Sequence, residues 1–299
     1  MWVVAVNNFI PKGMGWIPDL PDARDYTFRH KAVLPLLQKL RPSESENLPD
    51  EVDLRKNGER ENFNPPADQG LLNCSSTFAA ISLFEYFERR IRRATFDGSK
   101  LFLYKVTRNY FRKQLRSTGD AGADLRTTLK VLTLLGAPPE IDFPYAVEKF
   151  DQEPSQLLYS LAKPNIGVRY FRLDEPNCDG TTTWETVKSF LAAGFPVAFG
   201  LSIPTSLTNE ANIAYRAGLD GIQGGQAVVA VGYRNDHFGP GQHALLFRNS
   251  WGSHWGDNGY GWLPVAVVRK QLAINFWTLI STAWLETSEL SRPIAVETA

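Results

Sequence analysis

Hydrophobic and polar positions along this chain keep a helical period through the first half and a strand period through much of the second. Between residues 75 and 93 the apolar positions Ala80, Phe84, Phe87 and Ile91 fall at i, i+4, i+7 and i+11, one face of an amphipathic helix. Glu85 with Arg89 and Glu88 with Arg92 are spaced for i, i+4 ion pairs, and the basic end suits the negative end of the helix dipole. The cluster from Arg89 to Arg93 therefore reads as a solvated helix end rather than a binding patch. Helices are also expected over residues 31–40, 100–115, 127–135, 154–161 and 183–193, with Gly136 and Gly194 as stop signals. Strands are expected over residues 168–173, 197–201, 227–233, 243–248 and 259–263, each bounded by Gly, Pro or Asn turns. Helices first and strands later make an α+β chain.

The flanks carry little of either period. Residues 1–47 are rich in Pro and charge, and residues 15–22 are too proline-punctuated for a helix or a central strand. Residues 286–299 read as a mobile C-terminal tail. The 299 residues, 43% hydrophobic and 21% charged, are those of an ordinary soluble protein with ample length for a core. Lys plus Arg and Asp plus Glu are equal at 32 each, so no net field favours nucleic acid or an anionic membrane. No stretch reaches the ~18 to 20 apolar residues that span a bilayer, so membrane insertion is not expected. The short apolar run at the start lacks a basic segment before it and is too short for a secretion signal. Cys74 and Cys178 are the only cysteines, which fits a reducing, cytoplasmic setting better than a disulfide framework.

Candidate chemistry concentrates in Asp68-Gln69-Gly70-Leu71-Leu72-Asn73-Cys74-Ser75-Ser76-Thr77-Phe78. A polar loop there runs into a helix whose first turn carries thiol and hydroxyl side chains. Free N–H groups and the positive dipole end at such a helix start stabilise a thiolate, an alkoxide or a developing oxyanion. The amide of Gln69 can add a second oxyanion donor. The scattered histidines His30, His237, His243 and His254 make no metal spacing, and no Gly-rich loop ends in Lys-Ser/Thr, so no metal or cofactor is expected.

Gln69-Gly70 followed by Cys/Ser and Phe78-Ala79 resembles the active-site segment of papain-like cysteine peptidases. Three further segments carry the resemblance in the same order. Leu48-Pro49-Asp50-Glu51-Val52-Asp53-Leu54-Arg55 resembles the opening of that domain. Gly224-Gly225-Gln226-Ala227-Val228-Val229-Ala230-Val231-Gly232-Tyr233 resembles the strand that begins with the catalytic histidine. Arg248-Asn249-Ser250-Trp251-Gly252-Ser253-His254-Trp255-Gly256-Asp257-Asn258-Gly259-Tyr260-Gly261 resembles the asparagine segment. The resemblance, closest to bacterial members, implies a two-lobed fold over residues 48–285, with a helical N-terminal lobe and an antiparallel β-sheet or barrel C-terminal lobe. It also implies that residues 1–47 lie against the domain as a leader. Cys74, Gly122, Gly225, Trp251 and Trp255 are expected to line the cleft.

The family's reaction needs a thiolate made by a histidine and oriented by an asparagine. Asn249 fits the third role and Gln69 the oxyanion role. The nucleophile's place, six residues after the glutamine, holds Ser75, and the histidine's place holds Gln226. Cys74 stands one residue too early, which on a helix start turns a side chain by roughly 100°. A serine hydroxyl needs a general base in the transition state, and an amide takes up no proton near pH 7. The residues therefore point to a catalytically inactive papain-like protein that binds another protein or a peptide segment, with Ser75, Gln226 and Asn249 hydrogen-bonded to one another as neutral groups. Two alternatives remain: a serine-type hydrolase or transferase that uses Ser75 with an unidentified base, and a thiol role for Cys74.

Overall fold

The computed structural model describes residues 12–41, 47–115, 119–163, 167–285, 287 and 289–297. The helices are α1 (Leu34–Gln38), α2 (Ser75–Phe87), α3 (Lys100–Leu115), α4 (Leu125–Leu135), α5 (Gln156–Leu161), α6 (Gly180–Ala192), α7 (Val265–Arg269) and α8 (Ile294–Glu297). The strands are β1 (Glu51–Asp53), β2 (Lys56–Asn57), β3 (Arg60–Glu61), β4 (Val168–Arg172), β5 (Val197–Pro204), β6 (Ile222–Arg234), β7 (Ala244–Arg248), β8 (Tyr260–Pro264) and β9 (Ala273–Ser281). One antiparallel sheet runs in the order β4-β9-β5-β6-β7-β8, with β1 added along β6. A small hairpin of β2 and β3 stands apart. Helices α2, α3 and α4 pack together as one lobe, and α2 lies across β6, the long strand of the other. Among the described residues no helix is long and apolar enough to cross a membrane.

The interior of β5, β6, β7 and β9 is buried on both faces, which is why these segments read as unbroken apolar runs. Helix α4 starts where Asp124 accepts the Thr127 N–H at 2.5 Å, and α6 where Asp179 accepts that of Thr182 at 2.7 Å. Helix α2 differs: its N-cap is Cys74, which makes no side-chain cap bond. Its first N–H groups are thus left for other partners.

Several expectations are corrected. The helix expected over residues 31–40 is only α1, because Pro35 sits in its first turn and turns flank it. The helix from Ser75 to Arg93 is α2 followed by a wider π turn over Glu88–Arg92. Glu85 does not pair with Arg89. It is 2% exposed and faces Lys100 at 3.7 Å, while Arg89 bonds the Glu61 carbonyl and Asn64. Helix α7 and strand β9 were not foreseen. The expected leader, 1–47, is described only over residues 12–41 and 47, and the expected tail only at residues 287 and 289–297. The described residues of the latter pack against the rest of the chain. Leu290 is fully buried, and Arg292 donates its N–H to the Arg41 carbonyl at 2.7 Å.

Candidate active-site cleft

Two chain crossings bring the site together. Asp68 pairs with Trp251 in an antiparallel bridge, and the Gln69 N–H donates to the Ser250 carbonyl at 2.8 Å, so the loop before α2 lies beside the turn after β7. Strand β6 then passes in front of α2. The Ala227 N–H donates to Ser75 Oγ at 3.0 Å, which sets Ser75 next to Gln226.

The polar groups form a neutral network. Gln226 Nε2 donates to Gln69 Oε1 at 3.0 Å and to Asn249 Oδ1 at 2.9 Å, and lies 3.1 Å from Ser250 Oγ. Ser250 Oγ donates to Gln69 Oε1 at 2.6 Å. Acceptors at Gln69 and Asn249 fix the orientation of the Gln226 amide, since its nitrogen and not its oxygen must face them. Gln226 Oε1 is buried without a hydrogen-bond partner. The closed trio of Ser75, Gln226 and Asn249 does not form. Ser75 Oγ takes the Ala227 N–H, and Gln69 and Ser250 complete the Gln226 network in its stead.

The cleft is filled by the chain's own residues 12–17. Met14 O accepts from the Ser75 N–H at 3.1 Å and from Gln69 Nε2 at 3.1 Å, so both oxyanion-type donors converge on one peptide carbonyl. The segment is tied on both walls. The Trp16 N–H donates to the Gly225 carbonyl at 3.0 Å, and the Ala123 N–H donates to the Gly15 carbonyl at 3.0 Å. At the other end the Gly13 N–H donates to the Gly70 carbonyl at 2.9 Å, and Trp251 Nε1 donates to the Gly13 carbonyl at 3.0 Å. Lys12 Nζ reaches Asp68 at 2.5 Å and the Trp251 carbonyl at 2.8 Å.

The structure thus places Gly122, Gly225 and Trp251 on the walls around this segment. Trp255 is one layer behind: it packs edge-on to Trp251 at 5.5 Å and donates Nε1 to the Thr208 carbonyl. Cys74 does not line the cleft. Its thiol is 1% exposed and lies 3.1 Å from the Tyr145 hydroxyl, which donates to the Gln69 carbonyl. Burial pushes that thiol up to about 12, against the opposing pull of the Tyr145 contact. Among the described residues none of the four histidines is bonded to Ser75: His30 stacks on Tyr26, His237 on Trp262 and His243 on Trp184, and His254 is exposed.

Sequence reasoning missed Ser250, Tyr145 and the segment around Met14. The last did leave a signal: glycine alternates with larger residues in Lys12-Gly13-Met14-Gly15-Trp16, as close backbone approach requires. A second polar region also went unseen. A cavity of about 300 Å³ lies between the lobes behind the network, with Glu85, Lys100, Arg248, Asn249 and Ser250 in its lining. Burial pushes the Glu85 carboxyl up to about 7, against the opposing charges of Lys100 and Arg248.

A helical lobe against an antiparallel sheet, with glutamine, helix start and asparagine meeting between them, defines a papain-like architecture. The profile of the papain family cysteine proteases matches residues 48–274, and the chain belongs to that family. An uncharacterized peptidase C1-like protein of Acanthamoeba polyphaga mimivirus is 30% identical over 286 residues, covering 90% of this chain and 87% of the relative. Among solved structures, xylellain, a cysteine protease from Xylella fastidiosa, superposes with a TM-score of 0.71 at 28% identity, over 91% of this chain and 97% of xylellain. Digestive procathepsin L 3 of Tenebrio molitor shares the fold, with a TM-score of 0.58 at 19% identity over 83% and 77% of the two chains.

Proposed function

We propose that this chain is a non-catalytic member of the papain family that works as a peptide- or protein-binding module, with residues 12–17 resident in the former substrate cleft. The observation that carries this reading is the state of position 226. The Gln226 amide donates to Gln69 and Asn249 where the family's reaction needs a base, and such a group cannot take a proton from Ser75 near neutral pH. The Met14 carbonyl on the Ser75 N–H and the Gln69 amide supports it further, because the two donors that would stabilise an oxyanion already serve a ground-state carbonyl. A serine-type enzyme using Ser75 would need a base at its Oγ, and the neighbour there is the Ala227 N–H, a donor.

A fluorophosphonate probe and a fluorogenic peptide library test the proposal on the full chain. The expected result is no label on Ser75 and no turnover above buffer. Stoichiometric labelling of Ser75, lost in Ser75→Ala, would sink the proposal and establish the hydrolase instead.

A further inference from the structure

The steric record of the cleft describes one kind of ligand. A Cβ added at Gly13 would lie 2.2 Å from the Leu72 carbonyl oxygen, and one at Gly15 would lie 2.1 Å from that of Asn73, with Gly15 also at φ +93°. Both obstacles are main chain and both are pinned. Leu72 O accepts from Gln69 Nε2 at 2.7 Å, and the Asn73 N–H donates to the Asp120 carboxylate. Neither wall can retreat as the tip of a flexible side chain would, so a residue larger than glycine is excluded at both positions.

The cleft answers with glycines of its own. A Cβ at Gly200 would lie 1.8 Å from the Trp16 ring, one at Gly224 would lie 2.4 Å from Met14 Sδ, and one at Gly122 would lie 2.3 Å from the Gly15 carbonyl. The floor is therefore hollowed for an indole, with space for an unbranched apolar side chain two residues earlier. Main-chain bonds from Gly70, Ala123 and Gly225 hold such a segment whatever its sequence, and these hollows supply the selectivity.

The resident segment also leaves polar groups unmet. Gln226 Oε1 and Trp16 Nε1 are both buried and both lack a hydrogen-bond partner. A competitor that donated to Gln226 Oε1, or whose own indole N–H found the acceptor that Trp16 lacks, would bind better, because a buried unpaired donor or acceptor carries its full desolvation penalty.

We propose that the cleft is a selective receptor for an extended Gly-Xaa-Gly-Trp segment of a partner protein, Xaa being unbranched and apolar, and that residues 13–16 are its built-in competitor. The proposal rests on the non-catalytic reading only in that the bound segment stays uncut.

The test uses full-length chains and a fluorescein-labelled peptide with the sequence of residues 12–18, followed by anisotropy. In Trp16→Ala, whose own segment has lost its indole anchor, the peptide should bind roughly tenfold or more tighter than to the native chain. A peptide with Ala at the place of Gly15 should bind roughly tenfold or more weaker than the parent, and Gly200→Ala added to Trp16→Ala should abolish binding, as overpacking at a rigid wall predicts. Should Trp16→Ala fail to fold, Gly15→Ala loosens the segment by a clash and replaces it. Equal affinity for the parent and Ala peptides overturns the proposal, as does absence of binding to both loosened chains. Dimerisation of the loosened chains in place of peptide binding assigns the groove to a second copy and overturns the partner reading. Mass spectrometry of the recovered peptide separates the two ideas: a cut peptide defeats the non-catalytic reading, while loss of discrimination defeats only the selectivity.

Discussion

On one side of the cleft floor, the Ser75 N–H and the Gln69 amide converge on the Met14 carbonyl with the geometry of an oxyanion hole. On the other side, where a proton would move, Ser75 Oγ accepts an N–H from Ala227 and Gln226 stands in a ring of neutral partners. Both sides occupy positions of one catalytic plan in the papain family, and the proposed non-catalytic reading turns on the second. Under that reading the difference follows from what each side would have to bind. A peptide carbonyl uses preorganised N–H donors as readily as an oxyanion does, so those donors retain a use in a binding cleft. A general base has no ground-state partner in such a cleft, and a charged imidazole there would require compensation that a neutral amide does not.

The strongest test of this comparison restores the missing side. Ser75→Cys with Gln226→His rebuilds a thiol and a base next to Asn249. Turnover of a fluorogenic peptide should nevertheless stay at background while Met14 fills the oxyanion donors. Adding Trp16→Ala to that pair should raise it by at least ~10²-fold, the scale of general acid–base assistance once the cleft is free. Equal turnover with and without the third change would show that the resident segment does not gate the site.

A second test asks how firmly that segment is built in. Trp16 is 6% exposed, with its ring in the hollow made by Gly200 and Gly225. Trp16→Ala should cost about 3 kcal/mol or more of unfolding free energy in urea titrations, in line with large-to-small changes in a core. Proteolysis at Lys12 and Arg24 in native buffer should accelerate together with that loss. A cost below about 1 kcal/mol would make the segment a loose cover and weaken the contrast between the two sides.

Titration offers a smaller handle. Asp19, in the stretch that follows the cleft segment, accepts from Trp277 Nε1 at 2.7 Å and from the Arg126 N–H at 3.2 Å, next to Asp124. Burial and then the Asp124 charge push its carboxyl up to about 7. Glu85, in the interlobe cavity, is pushed to the same range by burial. The ordinary values are 3.8 and 4.5, so between those and about 7 the folded chain holds protons that the unfolded chain has released. Unfolding free energy therefore falls as pH rises through that window and levels off above it. Urea midpoints measured from pH 5 to pH 8 should decline, and Asp19→Asn should flatten part of the decline. A midpoint that rises over the same range would contradict the buried carboxyls.

Much of this architecture was legible in the sequence because local signals and global need agreed. Helix α2 stands where its spacing puts it, although it is buried nearly all round and not only on the face of Ala80, Phe84 and Phe87, and the order Gln69, Ser75, Gln226, Asn249 is the order of the site. What escaped was set by long-range contact. Strand β9 holds Asn275, whose Oδ1 accepts from the Asp19 N–H, and Thr278, whose hydroxyl donates to the Pro196 carbonyl, so its polar residues serve distant partners and blur its pattern. Ser250 escaped because its hydroxyl acts on Gln69, which precedes it by 181 residues. The closed trio failed because it left out the Ala227 N–H, which the β6 crossing brings to Ser75 Oγ.

Cys74 provides the finest comparison, since it neighbours Ser75 yet faces another environment. A helix N-terminus commonly lowers a thiol's pKa by offering N–H groups and dipole. Here the thiol is turned under the loop toward Tyr145, and desolvation outweighs the lowering by the Tyr145 hydrogen bond, holding it up at about 12. Iodoacetamide at pH 8 should therefore modify the half-buried Cys178 first and leave Cys74 at least ~10²-fold slower in the native chain, with the two rates converging in urea. Tyr145→Phe removes the hydroxyl partner without opening the pocket, so Cys74 should remain unreactive. Rapid native alkylation of Cys74 would mean that the thiol reaches solvent by local opening of the loop, and a thiol chemistry at this site would then have to be reconsidered.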